Sequence, residues 1–143
     1  SSPGFIPEWQ PYASLILTQA NGVSHVHDTV YINKFEYIRD LNMMGANLKL
    51  LTPTEAGFPL KINDDFYDLE REGEPKNVLE ISGKTVLKSS RIALYNNEYA
   101  PIMVLAALGA DGKSEISGMD YLTAYYENIL NKFSNIGAKI WDQ

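Results

Sequence analysis

The sequence predicts an α/β fold in which helices pack on small mixed sheets, arranged as two pseudo-repeated units. Helix-like and strand-like periodicities alternate along the chain, and the stretch Asn33–Leu51, NKFEYIRDLNMMGANLKLL, is echoed by Tyr126–Trp141, YENILNKFSNIGAKIW. Counting back from Gly45, the positions one, four and seven earlier are Met44, Leu41 and Ile38; from Gly137 they are Ile136, Phe133 and Leu130. Apolar residues at that spacing share one face of a helix. The chain has 143 residues, 45% of them hydrophobic, which is one domain's worth of length with enough apolar surface for a core. A helix-plus-sheet unit of half that size cannot bury its apolar face alone, so the two units are expected to share one core.

The elements follow in order. Pro7–Ala20, PEWQPYASLILTQA, carries Trp9, Ala13, Leu15, Ile16 and Leu17 and ends at Asn21-Gly22, so it reads as a helix with a C-terminal stop. Val23–Tyr31 has β-branched residues in alternation and reads as a strand. Asn33 opens an Asn-x-x-Glu pattern with Glu36, a variant of the capping box, ahead of a helix that stops at Gly45, and ANLKLL is the strand after it. The first unit thus spans about residues 1–51.

Residues 52–77 form a connector whose stretch Asp64–Glu74 holds Asp64, Asp65, Asp68, Glu70, Glu72 and Glu74 against Arg71. Such a run reads as a solvated excursion, and it lacks the Asp-x-Asp-x-Asp-Gly spacing of a calcium loop. The second unit, about residues 78–143, opens with short strands at Val78–Ile81, Thr85–Leu87 and Arg91–Tyr95 that complete its sheet. NEYAPIMVLAALGADG is an apolar helix in which Pro101 must lie in the first turn. A strand at KSEISGM, a helix at TAYYENILNKFSNI and a closing strand at AKIW finish the unit.

Composition excludes several classes. A net charge of −6 lacks the basic excess that phosphate-backbone binding requires, so nucleic acid is not an expected partner. No apolar run approaches the roughly 20 residues of a membrane span, and there is no basic-then-apolar leader, so a cytoplasmic location without a membrane partner is expected. With no cysteine there is neither disulfide, thiolate metal site nor cysteine nucleophile. His25 and His27 alternate onto one strand face without a clear third ligand and read as surface residues rather than a metal pair. GADGKS lacks phosphate-loop spacing, and Tyr121, Tyr125 and Tyr126, which could stack on a sugar or uracil, read as packing residues at a helix start.

The segment PGFIPEWQPYASLILTQANGVSHVHDTVYINKFEYIRDLNMMGANLKLL resembles the UDP-N-acetylglucosamine 1-carboxyvinyltransferases, a family of enolpyruvyl transferases related to EPSP synthase. There the stretch usually reads Pro-Gly-Phe-Pro-Thr-Asp-x-Gln, an apolar helix, Glu-Gly, a strand with Thr-Glu-x-x-Phe-Glu-Asn-Arg-Phe, and a helix ending Met-Gly-Ala. YAPIMVLAALGADGKSEISGMDYLTAYYENILNKFSNIGAKI resembles the next unit of that family. The resemblance implies an inside-out α/β barrel of βαβαββ-type units, three per domain, of which two are present here, so that the chain is a partial C-terminal region. An exposed apolar face would then remain, to be covered by the missing remainder of a parent protein or by self-association.

The implied chemistry is transfer of the enolpyruvyl group of phosphoenolpyruvate to UDP-N-acetylglucosamine with release of phosphate, in peptidoglycan precursor synthesis, and it calls for no cofactor or metal. It needs a carboxylate to accept the hydroxyl proton and cations to hold phosphate and carboxylate. The family aspartate falls on Glu8, which makes Glu8 the candidate general base; its alternative is a first-turn carboxylate favoured by the helix dipole. In the Phe-Glu-Asn-Arg-Phe segment this chain has Tyr31, Ile32, Asn33, Lys34 and Phe35. Val30, Asn33 and Lys34 are the substrate-binding candidates there, Asn33 doubling as a candidate helix cap and Lys34 replacing an arginine without its bidentate fork. The family's two anion-holding arginines fall near Tyr95–Asn97 and on Ala124, so the isolated chain is expected to be inactive. The alternative is a catalytically silent relative that keeps the fold as a binding or assembly module.

Overall fold

The computed structural model describes residues 5–141, so Pro3 and Gly4 of the Pro-Gly-Phe motif lie outside the described residues. The chain divides into two units, residues 1–86 and 87–143.

In the first unit a 3-10 turn at Pro7–Trp9 runs into α1 (Gln10–Leu17), followed by β1 (Gly22–His27), α2 (Tyr37–Met43), β2 (Leu48–Leu51), α3 (Pro53–Ala56), α4 (Leu69–Glu72) and β3 (Val78–Gly83). β3 is the centre of a three-stranded antiparallel sheet of order β1-β3-β2, with Val26 opposite Leu79 and Leu50 opposite the same residue. The sequence order puts Val78–Ile81 in the second unit's sheet; the strand belongs to the first. Val78, Leu79 and Ile81 are all fully buried, so this strand is apolar on both faces and takes the central, rather than an edge, position. Against this sheet lie Tyr37, Leu41 and Met44 of α2 and its C-terminus, also buried. Burying side chains of this size contributes on the order of 1.5–3 kcal/mol each.

The inner face of α1 is not the apolar one. Gln10, Ser14 and Thr18, four residues apart, are buried, whereas Trp9 and Ile16 are 56% and 71% exposed. Ser14 Oγ donates to the Gln10 carbonyl at 2.8 Å, and the Tyr37 hydroxyl lies 3.1 Å from Gln10 Oε1 and 3.0 Å from Ser14 Oγ. A hydroxyl from α2 thus meets the polar face of α1 along this seam. β1 stops at His27 rather than Tyr31, and α2 begins at Tyr37 with Glu36 as N-cap and no side-chain cap bond, so the expected Asn33 cap does not form. The connector is more ordered than its charge suggests: Thr52 and Glu55 form a reciprocal capping box on α3, and Asp68 Oδ1 caps α4 by accepting from the Arg71 N–H.

The second unit contains β4 (Arg91–Ala93), α5 (Ala100–Gly109), β5 (Glu115–Ser117), α6 (Asp120–Thr123) and α7 (Ile129–Asn135). β4 and β5 pair in parallel across α5, which has Pro101 in its first turn and buries Ile102, Met103, Val104 and Ala106. Thr85–Leu87 is not a strand; Lys88 makes an isolated bridge to Asp111. The single expected helix from Thr123 splits at Asn128, which adopts a left-handed conformation, and Ala138–Trp141 is not paired as a strand. Among the described residues neither sheet closes into a barrel.

The echo seen in the sequence extends to backbone hydrogen bonds. At Gly45 (φ +97°) the Ala46 N–H donates to the Leu41 carbonyl and the Gly45 N–H to Asn42; at Gly137 (φ +98°) the Ala138 N–H donates to Phe133 and the Gly137 N–H to Ser134. Both are Schellman caps, and the positive φ explains glycine at each. The stripes before them differ in burial. Met44 is 1% exposed, whereas Ile136 is 81% exposed on the rim of an open cleft of about 1250 Å³ lined by Ile92, Leu108, Ile116, Phe133 and Trp141.

Candidate functional site

The site is assembled on the loop that leaves β1. Asp28 ends the strand because its side chain turns back on the chain: Oδ1 accepts the N–H groups of Val30 at 2.9 Å and Tyr31 at 2.8 Å, an Asx turn. Asp28 is itself buried and tied by its backbone, its N–H donating to the Asn77 carbonyl at 3.0 Å and its carbonyl accepting from Asn77 Nδ2 at 2.8 Å. A second tether comes from the connector, where the Asn63 N–H donates to the Thr29 carbonyl and Asn63 Nδ2 to Thr29 Oγ1. Ile32 and Phe35 are buried from this loop, while Asn33 and Lys34 are exposed. The backbone is held from two sides and its polar side chains are presented outward.

Onto this loop comes Glu8 from the 3-10 turn. The Tyr31 hydroxyl donates to Glu8 Oε1 at 3.1 Å, and Lys34 Nζ sits 4.4 Å from the Tyr31 ring centroid, a cation–π contact. The hydrogen bond to Glu8, and then the negative charge of that carboxylate, push the Tyr31 phenol above its ordinary ionisation range. Of the residues singled out in the sequence, Glu8 and Lys34 are therefore joined through Tyr31. The Val30 N–H is committed to Asp28, and Asn33 stands exposed on the same loop. The roles of Tyr31, Asp28 and Asn77 are hidden in the sequence, where the alternation runs unbroken from Val23 to Tyr31 and reads as one strand; an aspartate near the end of such a run is the turn signal that marks them.

A carboxylate, a phenol and an ammonium group converging on one loop can hold a polyhydroxylated ligand and accept a hydroxyl proton. The other candidates lie away from this loop, and Tyr121, Tyr125 and Tyr126, expected to pack, are exposed. His25 Nε2 lies 3.3 Å from Glu80 Oε2 across the β1–β3 pair, and the rings of His25 and His27 contact Phe58 at centroid distances of 5.5 and 5.8 Å. Among the described residues no three His, Asp or Glu side chains are grouped to hold a metal ion, and no helix is long and apolar enough to cross a membrane. Arg91 Nε is engaged with Glu115 Oε2 at 2.9 Å, and Ala124 is exposed just past α6.

No family model matches the chain. Individual proteins do. The UDP-N-acetylglucosamine 1-carboxyvinyltransferase of Protochlamydia amoebophila is 30% identical over 138 residues, covering 96% of this chain and 28% of the relative. That of Chlamydia abortus is 32% identical, covering 96% of this chain and 30% of the relative, and UDP-N-acetylglucosamine 1-carboxyvinyltransferase 2 of Geobacillus kaustophilus is 29% identical, with 97% and 27% covered. In structure, the enolpyruvyl transferase NikO from Streptomyces tendae superimposes with a TM-score of 0.69 at 17% identity, covering 95% of this chain and 26% of that one. The chain spans less than a third of the length of these proteins. Over nearly its whole length, then, this chain is similar to part of the UDP-N-acetylglucosamine 1-carboxyvinyltransferases, and its mixed α/β architecture matches part of the enolpyruvyl transferase fold.

Proposed function

We propose that this chain is a portion of an enolpyruvyl transferase that moves the enolpyruvyl group of phosphoenolpyruvate onto UDP-N-acetylglucosamine in peptidoglycan precursor synthesis, in the cytoplasm, and that it contributes the nucleotide-sugar half of the site. The observation that carries this reading is the convergence of Glu8 and Lys34 through Tyr31 at the two positions where relatives are expected to bind substrate. Glu8 takes the proton of the acceptor hydroxyl as its oxygen adds to the phosphate-bearing carbon of phosphoenolpyruvate, whose methylene carbon takes up a solvent proton. Loss of phosphate and of a methyl proton then restores the double bond. Val30, Asn33 and Lys34 line the sugar. The chain is inactive alone, since Asn97 and Ala124 supply no cation where guanidinium groups would hold the anionic substrate. The remainder of a parent protein, or a second copy, completes the site. The two units are copies of one βαβαββ-type repeat, a reading supported by their matching Schellman caps. As a sequence repeat the copies run over about 1–51 and 78–143 with 52–77 as connector, although β3 pairs within the first compact unit, which extends to residue 86.

The missing cations favour one second reading, a catalytically silent relative serving as a binding or assembly module. An NMR titration with UDP-N-acetylglucosamine, following the amides of Glu8, Val30 and Lys34, separates the two. Saturable shifts confined to this loop are expected; no shift at millimolar ligand would overturn the half-site and leave the module.

A further inference from the structure

We infer that Tyr31 is a positioning residue for Glu8, its hydroxyl holding one carboxylate oxygen so that the other is presented to the acceptor hydroxyl. The inference rests on the half-site reading above and adds a residue to it. Relative to the motif that the resemblance above implies, glutamate stands for aspartate at residue 8 and tyrosine for phenylalanine at residue 31. The first adds a methylene and a rotatable bond to an exposed acid, which by itself would spread the carboxylate over several rotamers. The second adds a donor, and that donor is found 3.1 Å from Glu8 Oε1. Each change supplies what the other needs.

Tyr31 is suited to the task because it is itself held. Its N–H is bonded to Asp28 Oδ1, Asp28 is clamped to Asn77, and Lys34 Nζ lies over its ring. Position is thereby passed from the buried start of β3 to the exposed carboxylate through a chain of hydrogen bonds. The phenol is a neutral donor at working pH, so it fixes Glu8 without cancelling its charge.

The experiment uses the chain labelled at tyrosine Cζ, as wild type and as the variants Glu8→Gln, Tyr31→Phe and the paired Glu8→Asp/Tyr31→Phe. The charged groups facing the phenol are Glu8, Lys34 and Asp28. In a pH titration Tyr31 is expected to ionise above the ordinary value of 10.0 in the wild type and to fall back toward it in Glu8→Gln. With UDP-N-acetylglucosamine, Tyr31→Phe is expected to weaken binding about three- to tenfold, the range of one hydrogen bond, and the paired variant to recover most of it. If Tyr31 ionises identically with and without the Glu8 carboxylate, the pairing is overturned whether or not the sugar nucleotide binds. If the ionisation responds but Tyr31→Phe binds as well as wild type, the pairing stands and its positioning role is overturned. If the ionisation responds and the wild type does not bind at all, the half-site reading fails, and the role assigned to Tyr31 fails with it.

Discussion

Asp28 and Asn77 close on each other by two hydrogen bonds, the Asp28 N–H to the Asn77 carbonyl and Asn77 Nδ2 to the Asp28 carbonyl, and both residues are buried. This clamp joins the end of β1 to the start of β3 and fixes the point from which the candidate site loop departs. Replacing Asp28 by alanine strips an acceptor from two backbone N–H groups at once. Bonds to a carboxylate of this kind are worth about 1.5–3 kcal/mol, so Asp28→Ala is expected to lower stability in urea by about 2 kcal/mol and to shift the Val30 and Tyr31 amides. A loss of only a few tenths would show that the Asn77 and Asn63 tethers order the loop without the carboxylate.

The α1–α2 seam makes a second prediction. Tyr37→Phe conserves shape but removes the hydroxyl shared by Gln10 and Ser14 in a fully buried position. Buried polar groups left without a partner cost about 1–3 kcal/mol. Stability should fall by about that much with the secondary structure unchanged by circular dichroism, whereas a neutral substitution would mean that the seam is held by packing.

His27 predicts a pH dependence. Desolvation by burial is the largest influence on its ring and pulls it below 6.5; Asp28 opposes this and Lys61 adds to it. Its Nε2 is buried without a hydrogen-bond partner among the described residues. The folded state therefore prefers the neutral imidazole, and the unfolded chain binds the extra proton first. The corresponding stability is complete above pH 6.5 and is lost as pH falls from there through the lowered folded value. Urea midpoints should drop across that window, and the slope should flatten in His27→Gln; an unchanged slope in the variant would assign the dependence elsewhere.

Gly45 and Gly137 occupy left-handed conformations at φ +97° and +98° with the same pair of cap bonds. Alanine at either position meets the steric penalty of that region, about 1–2 kcal/mol. Both variants should be destabilised to a similar degree in thermal melts, despite the different burial of Met44 and Ile136. A large disparity would mean that packing before the cap, not the cap itself, sets the cost.

Much of the fold was legible because periodicity and punctuation agree. Helix, glycine and strand run in the expected order from Tyr37 to Leu51, and Pro101 falls in the first turn of α5. What was not legible depended on contacts distant in sequence. Val78–Gly83 looks like the next element in line, yet it is drawn into the middle of the earlier sheet because two strands, β1 and β2, need a common partner. Gln10, Ser14 and Thr18 look like the outer face of α1 until the Tyr37 hydroxyl comes within hydrogen-bond distance of the first two. At the site, Glu8 and Lys34 were within reach of sequence pattern, whereas Tyr31 acquires its meaning from a carboxylate 23 positions away.

An apolar seam would let α1 slide or roll a few degrees at little cost, since dispersion contacts have no direction. Hydrogen bonds do have one. With Gln10 Oε1 and Ser14 Oγ both indexed to a single phenol on α2, the helix has one rotation and one height at which these two oxygens reach it. The 3-10 turn is continuous with that helix, so the azimuth of Glu8 is inherited from it. The polar stripe thus acts as a key, aiming a surface carboxylate from inside the protein.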